Sequence, residues 1–264
     1  MRLLWEVALR SFRRAGSYRM ATAAGVFVNT VFGYLKAYVL IAVAVANGGS
    51  VAGWTLQEVA TFAFVGQGFL AAIGAFGDPE LADRVRSGQV VVDLYRPVDL
   101  QLWWLAGWYG KVVYQVLFRG IPPVVLGALA IDLRWPDPWW HWAAFAVALV
   151  AATTIGFALR FCTNLVTFWL LDNRGVDQLI TLSLAFFSGL LLPLALFPPA
   201  VETVARALPF AALVQLPVEI YLGRHGPAGV AWILLQQVMW LVALLLAGRV
   251  LLTAATRKVV IQGG

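Results

Sequence analysis

The chain has 264 residues, of which 61% are hydrophobic and 12% charged, with a formal charge of +6. Soluble domains carry about 25% charged residues, so this composition excludes one and reads as an integral membrane protein. The Lys and Arg residues fall between apolar runs rather than along one polar face, which argues against nucleic acid as a partner, and the single cysteine, Cys162, excludes an internal disulfide.

Within residues 1–19, Leu4, Trp5, Ala8, Leu9 and Phe12 share one helical side and Arg2, Glu6, Arg10 and Arg13 the other. This pattern predicts an interfacial helix whose basic face suits anionic headgroups of membrane lipids or an acidic protein. The arginines continue to Arg19 and the next apolar run is too long for a signal-peptide core, so no cleavable leader is expected. Six apolar runs follow, at 21–46, 58–77, 105–131, 140–171, 178–197 and 228–251. Each is long enough to cross a hydrocarbon core of about 30 Å as a helix. The predicted fold is therefore an all-α polytopic membrane protein: one transmembrane domain, 1–264, with six transmembrane helices. With the N-terminus in the cytoplasm, thirteen of the 19 Lys and Arg lie on its side of the membrane. Arg134, Arg206 and Arg224 lie on the other side, and Lys36, Arg119 and Arg160 lie within spans. That asymmetry places both termini in the cytoplasm, and tryptophans such as Trp54, Trp103, Trp104 and Trp139 mark the span ends.

The second and third runs are joined by the longest charged stretch of the chain, 78–99. Asp78, Glu80 and Asp83 sit at the positive end of a predicted helix of about eight or nine residues beginning near Pro79, and Arg84 and Arg86 sit toward its negative end. Gly88 ends it, and Arg96-Pro97 blocks further helix. The result is a small cytoplasmic knob.

Inside the spans, Ala144, Ala148, Ala152, Gly156, Arg160 and Asn164 recur every four residues, a stripe of small and then polar side chains that must face protein. Arg160 needs a partner at that depth, and Asp172 and Asp177 are the candidates. Lys36 and Arg119 pose the same requirement; Gly120-Ile121-Pro122-Pro123 beside Arg119 predicts a bend. Phe62, Phe69 and Phe76 form a seam beside Gln67 in the second span, and Thr181, Ser183, Phe186, Phe187 and Ser188 mix hydroxyls with aromatics in the fifth. Such surfaces suit an amphipathic ligand, and they also suit helix packing. Between the last two spans, 198–226 is cut by prolines into short re-entrant outer helices, with Glu202 and Arg206 paired four residues apart.

Catalytic motifs are absent. Neither His141 nor His225 has metal-ligand spacing, no nucleophile elbow surrounds Ser188, and no phosphate-binding loop occurs.

The order of surface helix, two spans, knob, three spans, outer helices, last span and basic tail resembles the membrane subunit of ABC type-2 exporters over nearly the whole chain. Arg86-Ser87-Gly88-Gln89 through Leu94-Tyr95-Arg96-Pro97-Val98-Asp99 is similar to the arginine, glycine and L-x-R-P pattern of their bacterial antibiotic-export branch, and Arg257 to Gly264 to its basic Gly-Gly tail. The resemblance implies that the knob is a coupling helix docking on an ABC ATPase subunit dimer through Glu80, Asp83, Arg84, Arg86 and Arg96. It implies a second permease, the same or homologous, and a substrate path along Phe62, Gln67, Phe69, Thr181, Phe187 and Ser188. It also implies that ATP and magnesium sit on the ATPase and no cofactor on this chain, in a bacterial cytoplasmic membrane. An autonomous membrane enzyme or lipid-handling protein is the alternative that Lys36, Arg119 and Arg160 motivate, and a membrane scaffold is a third.

Overall fold

The computed structural model describes residues 1–170 and 172–257. Leu171, which ends the predicted fourth span, and the predicted tail 258–264 lie outside the described residues. Helix α1 (Arg2–Gly16) breaks at Ser17-Tyr18 and α2 (Arg19–Ala46) follows. A minimal hairpin, Ser50–Val51 against Trp54–Thr55, turns on Ala52 and Gly53 at positive φ and leads into α3 (Leu56–Ala72). These are the only strands among the described residues. The knob carries α4 (Glu80–Arg86) and α5 (Val90–Leu94). Next come α6 (Leu100–Gln115), a π-helical turn at Val116–Gly120, and α7 (Ile121–Ala128). The long α8 (Trp140–Leu165) runs into a 3-10 turn at Val166–Phe168, and α9 (Arg174–Phe187) follows. Short α10 (Pro199–Ala207) and α11 (Gln215–Tyr221) precede α12 (Pro227–Thr256). Three of these, Arg19–Ala46, Trp140–Phe168 and Pro227–Thr256, are long and apolar enough to cross a membrane.

α8 is the axle of the bundle. Every residue from Ala151 to Phe161 is buried, and α12 and α11 both pack against α8. Its small-residue stripe faces the end of α3: a Cβ at Gly156 would stand 2.6 Å from the Ile73 carbonyl oxygen. Close approaches also set the other half. Phe64 of α3 fits between Gly33 of α2 and Gly127 of α7, and the backbones of Gly68 and Gly120 touch, each leaving no room for a Cβ on the other. A π turn lies where the bend is predicted and shifts the hydrogen-bond register just before Pro122 and Pro123, neither of which has an N–H to donate.

α1 crosses α6 where Gly110 permits it, because a Cβ there would enter the Ala8 backbone. Phe12 closes the crossing edge-on to Tyr114, with ring centroids 5.5 Å apart.

The fifth apolar run departs from expectation. Instead of a helix over 178–197, α9 ends at Phe187 after 14 residues, about 21 Å at 1.5 Å per residue. Gly189 adopts φ +85° and the chain continues without α-helix to Phe197. Freed backbone groups are satisfied by groups distant in sequence, as non-helical backbone within a membrane protein requires. Ser188 O accepts from the Gln215 N–H at 2.8 Å, the Gln215 carboxamide oxygen accepts from the Leu194 N–H at 3.0 Å, and Lys36 Nζ donates to Leu190 O. α11, buried along its whole length, supplies that support.

Candidate functional site

The knob is a braced unit. α4 is seven residues, with Pro79 as its N-cap rather than its first turn, acidic residues in the first turn and Arg84 and Arg86 in the last. Gly88 at φ +73° ends it. Leu81 and Val90 enter an apolar cluster with Trp108 and Val112 of α6 and Phe157, Phe161 and Leu165 of α8. Above that cluster sits Asp93, only 2% exposed, which accepts from Arg84 Nε and from Arg84 Nη2 at 2.9 Å and pairs with Arg96 Nη1 at 3.1 Å. A desolvated carboxylate with two guanidinium partners fixes α4, α5 and the Arg96 turn relative to one another.

Further ties reach the bundle. Asp78 pairs with Lys111 at 2.7 Å, and its carbonyl accepts from Asn164 Nδ2 at 2.7 Å. Arg86 pairs with Asp83 at 3.3 Å and reaches Asn173 Oδ1 at 3.4 Å. Glu80 meets Arg14 of α1 at 2.9 Å, an exposed pair that contributes about 0–1 kcal/mol yet holds the guanidinium above its ordinary pKa. At the foot of α6, Asp99 caps the Leu102 N–H at 2.8 Å and pairs with Arg249 of α12. Burial, which favours the protonated acid, is outweighed there by Arg249 and the amides, so the carboxyl sits below its ordinary pKa.

Of the five residues implied for coupling, Arg84 and Arg96 thus hold the knob together, Glu80 and Arg86 tie it to α1 and to Asn173, and Asp83 stays mostly open to solvent. Asp83, Ser87, Gln89, Val92 and Tyr95 are exposed; Val92 and Tyr95, at 60% and 71%, were not singled out by charge. An apolar residue within a charged loop is the signal that would have found them.

Arg160 has the partner expected of it. Its Nη1 meets Asp177 at 2.8 Å, Nη2 meets Thr181 Oγ1 at 3.0 Å, and Nε donates to Gly74 O at 2.9 Å. One guanidinium therefore joins α8, α9 and the turn after α3, and Asp172 instead lies beside Arg174. Lys36 supports the break after α9. Arg119 lies on the π turn against Gly25 of α2, half-buried and without a carboxylate partner among the described residues.

The residues implied for a substrate path do not gather round one opening. Phe62 packs edge-on to Trp54 beside Gly189 and Gln215, and Phe69 meets Phe145. Gln67 is buried, Phe187 lies near Phe210, Ser188 is wholly buried, and Thr181 serves Arg160. Phe76, by contrast, is 75% exposed.

At the opposite end from the knob, two buried carboxylates were missed. Glu58 takes Arg134 at 2.7 Å and Arg224 at 3.0 Å. Glu219 accepts from Arg206 Nη2 and Gln215 at 2.7 Å each and meets His225 Nε2 at 2.8 Å, while Arg206 also holds Glu202 at 2.8 Å as its spacing predicts. Burial pushes the Glu219 carboxyl up, but His225, Arg206 and Gln215 outweigh it and bring it down to about 2. Both lie in mostly apolar stretches, where a carboxylate in a membrane protein must be compensated.

Among the described residues no group of His, Cys, Asp or Glu gathers as a metal site. What the arrangement offers is mechanical: a helical membrane bundle with a braced polar knob at one end and an ion-paired cap at the other. It is a helical membrane protein. The family model described as ABC-2 family transporter protein matches residues 31–263, most of the chain, and the chain belongs to that family. Comparisons with curated proteins and with solved structures gave no match.

Proposed function

We propose that this chain is the permease subunit of an ATP-driven exporter. The braced knob carries that reading. Leu81 and Val90 seat it in the cluster of α6 and α8, the Asp93 clamp keeps it rigid, and Asp83, Ser87, Gln89, Val92 and Tyr95 are left outward. A lever needs such rigidity, because a force applied at a soft loop is lost in the loop. A separate ABC ATPase dimer, carrying ATP and magnesium, docks on that outward face in the cytoplasm, and nucleotide-driven closure moves α4 against α6 and α8.

In this reading α2, α3, α6–α7, α8, α9 with its non-helical continuation, and α12 cross the bacterial cytoplasmic membrane six times, leaving both termini cytoplasmic. A second permease completes the transporter, and the cargo is a hydrophobic or amphipathic compound, in keeping with the aromatic and hydroxyl residues of α3 and α9. Because Phe62, Gln67 and Phe69 are buried within this chain, a path along them opens by parting α3 from α9 and α11.

The test is coupled ATPase activity of the chain purified with its ATPase in mild detergent. Asp83→Arg together with Tyr95→Ala should lower permease-stimulated hydrolysis by about tenfold or more, since central contacts of an interface each contribute 1–2 kcal/mol or more. Yield should hold and stability should fall by no more than about 1 kcal/mol, because the only tie lost is the exposed Asp83–Arg86 pair and Tyr95 is exposed. Full stimulation by this variant would refute docking at the knob.

A further inference from the structure

We propose that the cleft enclosed by α1, the start of α2, the knob, α6 and α8 binds the phosphate headgroup of an anionic lipid, with Arg119 as the anchoring cation. The cleft encloses about 610 Å³, within the usual range of ligand sites, and is walled by α1, the start of α2, the knob, α6 and α8. Seven cationic side chains line it against four carboxylates. Five of the seven are engaged: Arg14 by Glu80, Arg84 and Arg96 by Asp93, Lys111 by Asp78, and Arg160 by Asp177. Arg10 and Arg119 remain without an acid partner among the described residues, and Glu6 is the lining carboxylate without a cation.

Arg119 is placed for this by the fold. The π turn directs it at α2, and Gly25 leaves the space its guanidinium fills, since a Cβ there would collide with it. Its Nε is sealed from solvent and lacks an acceptor. Two other groups along the same cleft are sealed and unpaired: the Trp104 indole N–H and the Gln115 carboxamide oxygen. Trp104, Lys111, Gln115 and Arg119 follow one another at seven, four and four residues, so they share a face about 22 Å long at 1.5 Å per residue. The Arg119 guanidinium suits a phosphodiester, the Gln115 carboxamide oxygen one helical turn away suits a headgroup hydroxyl, and Trp108, Tyr114 and Phe157 offer an apolar wall to the glyceride. The cleft opens beside an amphipathic helix, where lipid is the most abundant phosphate carrier.

The experiment uses the purified full-length chain in detergent, with retention of added phosphatidylglycerol, phosphatidylcholine or inorganic phosphate followed by native mass spectrometry and titration. Phosphatidylglycerol should bind at least tenfold more tightly than phosphatidylcholine, Arg119→Gln should weaken it about tenfold, and millimolar phosphate should not displace it. Gln115→Leu removes the unpaired carboxamide and keeps most of the bulk, so it should weaken binding about threefold in a chain that folds normally. Equal affinity for both lipids, or no loss in either variant, would overturn the site. Phosphate binding that depends on Arg119 while lipid binding does not would overturn the lipid assignment in favour of a free anion. The assay uses neither nucleotide nor transport, so its failure leaves the coupling reading untouched.

Discussion

Replacing Asp93 with Asn should loosen the knob without unfolding the bundle. The side chain is 2% exposed and receives three guanidinium contacts, from Arg84 twice and from Arg96. Asn keeps the shape and one acceptor but removes the charge. Breaking a buried ion pair from one side costs about 3–5 kcal/mol. Here the Arg84 and Arg96 side chains keep 27% and 36% of their exposure, so water compensates part of the loss and the net cost is about 2 kcal/mol. Because Leu81 and Val90 still anchor the segment, the cost falls on local opening of α4 and α5 rather than on global stability. Hydrogen exchange of the α4 and α5 amides should then accelerate by about 30-fold, with exchange in α8 unchanged and coupled ATPase stimulation reduced. Exchange within threefold of the parent chain, with normal stimulation, would refute the clamp. Adding Arg84→Gln to Asp93→Asn should cost much less than the two separate losses together, because they remove the same interaction.

Three further outcomes follow from the same structure. Glu219, held at about 2 against an ordinary 4.5, contributes stability that is fully present above pH 4.5 and is lost as the pH falls toward 2, about 3 kcal/mol in all. Thermal melts should therefore drop steeply below pH 4.5, and Glu219→Gln should flatten that drop while lowering stability at pH 7. Arg160→Lys keeps the charge opposite Asp177 but cannot also serve Gly74, Ala75 and Thr181, so the melting temperature should fall by the equivalent of about 2–3 kcal/mol. Gly156→Ala places a Cβ against the Ile73 backbone and should cost about 1–3 kcal/mol, whereas Gly175→Ala, in α9 with open space around it, should not lower the melt and should raise it by the equivalent of up to about 1 kcal/mol.

Much of this architecture is legible in the sequence where the cause is local. The every-fourth-residue stripe from Ala144 to Asn164 forecast protein contact along α8, although residues 151–161 are buried on every side, Asp177 was within reach of Arg160, and Pro122-Pro123 marked the place of the π turn. What escaped depends on residues far apart in the chain. The run after Phe187 reads as uninterrupted apolar helix because Lys36 and Gln215, which satisfy its opened backbone, lie 154 residues from Leu190 and 21 from Leu194. Among the knob charges, composition could not tell Asp93, a buried hub, from Asp83, an exposed neighbour. Glu58 and Glu219 were hidden for a related reason: each is one acid in an apolar stretch, and its arginines come from other segments.

The central claim, that the knob is the surface on which an ATPase docks, is tested most directly by photo-crosslinking. Benzoylphenylalanine in place of Tyr95 should yield an adduct with a protein that carries a phosphate-binding loop, and the same probe in place of Trp139, 79% exposed and outside the knob, should not. No adduct from Tyr95 to such a protein, or equal adducts from both positions, would contradict the account.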